Sequence, residues 1–154
     1  MPPFALFYVP HVLTAMLWVG GMFFAWMVLR PAAGARLQPP ERLTLWAEVF
    51  RRFFVWVWVA VLILPISGLG MWHMRFDSLG AAPRYVHIMA GSYLVMLALF
   101  LRIQLLQLPA LKRAVAAKDW PAGGAVLAQI RRLVGVNLLL GVLVIALASA
   151  RPMF

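Results

Sequence analysis

Apolar residues in this chain fall into four long runs, with most charged and turn-forming residues gathered between them. The runs cover residues 4–29, 53–72, 85–101 and 133–150. Each approaches or exceeds the roughly 20 residues that cross a hydrocarbon layer as a helix. Lipid offers no partner to backbone N–H and C=O groups, so each run predicts a helix that satisfies its own backbone. A single apolar stripe of 3.6-residue period is weak in all four, as expected where both the lipid face and the core face are apolar. The predicted fold is therefore all-α: one domain over residues 1–154, an integral membrane bundle of four transmembrane helices.

The connecting segments carry weaker signals. Residues 39–52 read as a helix start running into the second run, with Pro40 in its first turn. Residues 105–117 read as a continuation of the third run, interrupted at Pro109. Gly123 and Gly124 read as a flexible turn, and Trp46 and Trp120 as interfacial indoles. Pro10 and Pro65 lie inside runs, where proline is tolerated in membranes; Pro10 directly precedes His11 and offers a local distortion there.

Charge orients the helices. Arg30, Arg36, Arg42, Arg51 and Arg52 lie between the first two runs, and Arg102, Lys112, Arg113, Lys118, Arg131 and Arg132 between the last two. Only Arg75, Arg84 and Arg151 belong to the opposite side. Eleven basic residues against three place both long connections in the cytoplasm and both termini on the periplasmic side of a bacterial inner membrane. No basic segment precedes the first run, and the run is too long for a signal-peptide core, so it reads as a retained helix.

Composition narrows the function classes. The chain is 65% hydrophobic and 12% charged, with a net charge of +10. Beside membrane spans that charge serves topology and anionic lipid rather than nucleic acid. The absence of cysteine removes disulfides, thiolate metal sites and covalently attached haem. The four acids, Glu41, Glu48, Asp77 and Asp119, all lie outside the runs, which argues against a carboxylate proton relay across the membrane. No phosphate-binding glycine loop and no nucleophile triad is present.

Chemistry then rests on three histidines. His11, His73 and His87 all fall at the periplasmic end of their helices. His11 lies about two turns inside the first run, where an ionisable group is expensive and usually faces a functional interior. His73 closes the second run and His87 opens the third, so both also read as interfacial residues. On the third helix the His87 face continues through Ala90, Gly91, Leu94 and Ala98. Gly91 leaves room there for a flat macrocycle or for close helix packing. Met71, Met74 and Met89 share this end, and Ser67, Met71 and Met74 follow at helical spacing. Imidazole with thioether suits monovalent copper, and either group also serves as an axial ligand to haem iron. Arg75 and Arg84 offer guanidinium partners to haem propionates.

The stretch from His11 to Gly21, with its histidine followed by Trp18-Val19-Gly20-Gly21, resembles the opening helix of CopD-like membrane proteins. Residues 52–69 and 129–137 are similar to their second helix and the entry to their fourth. The resemblance implies copper uptake or resistance, often beside a periplasmic copper carrier. The related HemJ type binds b-type haem and oxidises protoporphyrinogen. It carries a first-helix histidine, matched by His11, and a third-helix His-x-Lys pattern. Here Met89 stands in place of that lysine, which argues against the oxidase activity and leaves haem binding open through His87 or Met89.

Three expectations follow. The first is a b-type haem protein for electron transfer, with His11 and His87 as axial ligands, neighboured by Met89, Gly91, Arg75 and Arg84. An oxidoreductase role, with quinol or a periplasmic electron donor as partner, belongs to that reading alone. The second is copper binding or import through His11, His73, His87, Met71 and Met74. The third is a non-catalytic membrane subunit whose histidines only hydrogen-bond between helices.

Overall fold

The computed structural model describes residues 3–150; Arg151, assigned above to the periplasmic side, lies outside them. Four helices long and apolar enough to cross a membrane make up almost all of the described chain. They are α1 (Pro3–Arg36), α2 (Pro39–Arg75), α3 (Arg84–Ala116) and α4 (Trp120–Ser149). No strand occurs among the described residues. The helices alternate in direction. One end of the bundle holds Pro3, Ser149 and the α2–α3 connection, and is called the terminal end below. The other holds the eleven basic residues and is called the basic end.

Each helix outruns its apolar stretch. α2 has 37 residues, or about 55 Å of helix against roughly 30 Å of hydrocarbon. Its first turns project beyond the membrane at the basic end. They begin where the sequence signals a start: Pro39 and Pro40 occupy the first turn, and the Glu41 side chain accepts from the Gln38 backbone N–H at 3.4 Å. α4 starts on Asp119, whose carboxylate accepts from the Ala122 N–H at 3.2 Å.

Three local expectations need correction. Pro109 does not interrupt α3. A π-helical turn, Ile103–Gln107, precedes it, and a second one, Ala25–Leu29, stands in the same relation to Pro31 in α1. Each wide turn ends two residues before its proline, and the extra residue accommodates a ring that has no N–H to donate. Gly123 and Gly124 lie inside the first turns of α4, not in a turn. A Cβ on Gly123 would stand 3.1 Å from the Leu43 side chain, so this glycine is a close approach between α4 and α2. Trp46 is 4% exposed within the core rather than at the interface; it stacks along Phe50 and Phe54 on α2.

α1 packs antiparallel along α2, and α3 along α4. The core fills only part of the bundle. Trp18, Phe50, Phe54, Val57, Met96, Phe100, Ile103, Leu111 and Ile130 build it from all four helices. On α3 no residue between Arg84 and Val95 is buried, and on α4 none after Gly141. The terminal parts of α3 and α4 therefore add no buried side chain to the core, while α1 and α2 still bury Thr14 and Ser67 there. One tie reaches α2 from α3: the Tyr93 hydroxyl donates to the Val61 carbonyl at 2.7 Å.

Candidate metal site at the terminal end

His11 sits between α1 and α2, half-buried. Its Nδ1 is 2.9 Å from the Ser67 hydroxyl oxygen. Ser67 is 3% exposed, and its own hydroxyl proton goes to the Ile63 carbonyl at 2.6 Å, with Leu64 O at 3.1 Å. A hydroxyl has one proton and two acceptor lone pairs. With that proton committed to a carbonyl, Ser67 can only accept from the imidazole. The bond therefore selects the Nδ1–H tautomer of His11 and leaves Nε2 with its lone pair free. An oriented imidazole with an unprotonated nitrogen is the form that ligates metals. Pro10 leaves α1 unbroken, and the Thr14 hydroxyl donates to the Pro10 carbonyl at 2.7 Å.

On α2, Met71 lies one turn beyond Ser67 and Met74 one turn further, along the same stripe. Burial falls along that stripe: Ser67 is buried, Met71 half-buried, and Met74 48% exposed. Met74 joins Arg75, Pro3 and Phe4 around an open groove at the end of the bundle. The row from Met74 to His11 thus leads from the open end towards the interior, with thioethers outside and imidazole inside.

The remaining residues singled out by sequence are placed differently. His73 is exposed near the end of α2. His87 is also exposed and meets the Trp72 ring edge-on, centroids 5.7 Å apart. Met89 is half-buried, and Gly91 faces open space, with nothing within 4 Å of where a Cβ would be. The face through Ala90, Gly91, Leu94 and Ala98 is exposed throughout, so it neither packs closely nor walls a slot. The Arg75 guanidinium lies over the Phe4 ring at 5.5 Å, and Arg84 is exposed. Among the described residues no group of three or more His, Asp or Glu side chains stands together.

This placement bears on the two metal readings unequally. A haem held by His11 and His87 needs both rings to face one slot. His11 has its neighbours on α2, His87 has Trp72, and neither ring lines the terminal groove or the cavity at the basic end. The residues do not fit a haem in this packing. A small soft ion needs only a few side chains along one stripe, and Met71 and Met74 share a stripe of α2 with Ser67, the partner of His11.

Sequence reading placed Ser67 in the stripe with Met71 and Met74 but missed its role as the partner of His11. The signal was a serine at membrane depth, where a hydroxyl must find a partner. It also missed the polar groups of the core. Asn137 on α4 is 2% exposed and donates to the Met96 carbonyl at 3.2 Å. Gln104 and Gln107 belong to the π-helical turn of α3, and their side-chain carbonyls are buried without partners.

A family model described as CopD, copper resistance protein D, matches residues 47–151. The match takes in α3 and the methionine stripe of α2, and begins after α1. No curated protein and no solved structure matches the chain.

Proposed function

The chain belongs to the copper resistance protein D family, and from that membership we propose that it binds monovalent copper as cargo at the terminal end of its bundle. The His11–Ser67 bond carries the proposal, because it orients one imidazole at membrane depth with Nε2 free. Met71 and Met74 supply soft thioethers along the approach to it, and His73 adds a nitrogen at the exposed end. Imidazole with thioether is a donor set that prefers monovalent copper to hard cations. The eleven-to-three distribution of basic residues supports a terminal end that faces the periplasm of a bacterial inner membrane. Copper would then be met on the periplasmic side, from a carrier there.

The test is an anaerobic competition titration of purified protein against a colorimetric Cu(I) chelator. His11→Ala and the double variant Met71→Leu/Met74→Leu should each weaken binding at least tenfold. Affinity unchanged in both would refute the assignment. Oxidised and dithionite-reduced optical spectra, after expression with ample haem, complete the experiment. A Soret band that disappears in both His11→Ala and His87→Ala would replace copper with haem. Full stability and function in a triple His→Ala variant would leave the non-catalytic subunit.

A further inference from the structure

A second site lies nearer the basic end, away from every histidine, and is independent of the copper reading. A cavity of about 260 Å³ sits between the helices there. Five aromatic rings face it from within the bundle: Trp18, Phe50, Phe53, Phe54 and Phe100. Both π-helical turns contribute to its wall, that of α1 through Ala25 and Leu29, that of α3 through Ile103. Wide turns of this kind recur where a helix is shaped around a functional site. The lining extends to Phe24, which is 55% exposed, so the cavity reaches the lipid-facing surface.

Asn137 and Trp18 are the only lining residues with a polar side-chain group. Asn137 gives one of its two amide N–H groups to the Met96 carbonyl, and its Oδ1 is buried with no partner. An unmet acceptor deep in a helix bundle is uncommon. A water is poorly held in a space so apolar, because it needs two to four polar partners. The acceptor is met only by a ligand that brings its own donor, which carboxylates, ethers and quinone carbonyls lack. The aromatic lining calls for a flat ring. The volume exceeds the roughly 150 Å³ that houses a benzene and falls short of common drug-sized pockets, so one substituted ring fits.

We propose that this cavity binds a phenolic ring delivered from the membrane, such as the hydroquinone head of a reduced quinone, with its hydroxyl donating to Asn137 Oδ1. The ring packs among Phe50, Phe54 and Phe100, and any tail leaves past Phe24 into lipid. No electron transfer is implied, since binding alone satisfies the orphaned acceptor.

The test uses the full chain in nanodiscs, with empty nanodiscs as the partition blank, and titrates 4-propylphenol against its methyl ether by tryptophan fluorescence. The phenol should bind at least tenfold tighter. Asn137→Ala should erase that preference while leaving the ether's affinity within about twofold. Ala25→Phe, which fills the cavity from α1, should weaken both ligands with helicity unchanged by circular dichroism. A short-tailed hydroquinone should likewise outbind its oxidised quinone, which has no hydroxyl; a phenol preference without that second difference assigns the site to other membrane phenols and overturns the quinol example. Equal affinity of phenol and ether in the wild type, or a preference that survives in Asn137→Ala, overturns hydroxyl recognition altogether.

Discussion

Replacing Asn137 with leucine tests whether its buried amide serves the fold. The side chain makes one hydrogen bond, to the Met96 carbonyl at 3.2 Å, and leaves Oδ1 unmet at 2% residue exposure. Interhelical hydrogen bonds in membranes are worth about 0.6 kcal/mol on average and up to about 1.7. A buried acceptor without a partner costs about 1–3 kcal/mol. Leucine shares the branching of asparagine, and the adjoining cavity has room for its larger methyl groups. Asn137→Leu should therefore range from about 0.7 kcal/mol less stable to about 2.4 kcal/mol more stable by this difference. The assay is reversible unfolding in mixed micelles, with denaturing detergent as the titrant and circular dichroism as the signal. A loss above about 2 kcal/mol would refute the reasoning, since it exceeds what one membrane hydrogen bond supplies. A stable variant would mean that the amide is not kept for stability, and would turn attention to what Oδ1 binds.

Three further predictions concern other parts of the chain. Lys118 ends α3 with a left-handed backbone, φ 54°, while its N–H bonds Val115 O and the Asp119 N–H bonds Ala114 O; this is a helix stop that favours glycine, so Lys118→Gly should stabilise by about 1 kcal/mol in the same titration, and a loss would contradict it. A Cβ on Gly141 would come 2.7 Å from a Val19 methyl, so Gly141→Ala should cost about 1–3 kcal/mol by forcing α1 and α4 apart, and an unchanged midpoint would show that the contact yields freely. Glu48, ahead of the membrane stretch of α2, accepts hydrogen bonds from Arg51 and Arg52, which hold its carboxyl down to about 2 from 4.5. A depressed carboxylate stabilises above its unfolded value and loses that contribution as pH falls through the folded one; its carbon-13 titration should show a midpoint near 2, and a midpoint near 4.5 would mean that the pairs do not persist in solution.

The four helices were legible because lipid imposes one rule on the backbone, and a run of apolar residues reports it directly. The helical start at residues 39–52 was legible for a local reason, the prolines and Glu41 at its first turn. The errors share a different cause. Continuation through Pro109 depends on a wide turn whose hydrogen bonds leave no mark in composition. The burial of Trp46 and the close approach at Gly123 depend on which helices meet, and on which side. In water a polar stripe marks the outer face of a helix, but in lipid both faces are apolar. That loss of contrast also decided the histidines. Depth along the helix was readable and put all three at one end. Azimuth was not, so nothing in the sequence showed that His11 turns to Ser67 while His87 faces out beside Trp72.

The uneven core gives the two ends of the molecule different physical characters. Near the basic end, side chains from all four helices interlock, and the cavity there is a defined gap in a packed interior. At the terminal end, α3 from Arg84 to Val95 and α4 beyond Gly141 bury nothing. Segments with few buried contacts open at low free energy, so this end can rearrange while the core stays closed. The residues best suited to a soft ion lie within or beside that loose third, and the one pre-set nitrogen, His11 Nε2, sits at its inner edge. A copper ion bound there would add a tie between α1 and α2 at the end where α3 and α4 have no buried side chain. Binding energy would then appear partly as order in the terminal third, because a ligand stabilises the state that holds it.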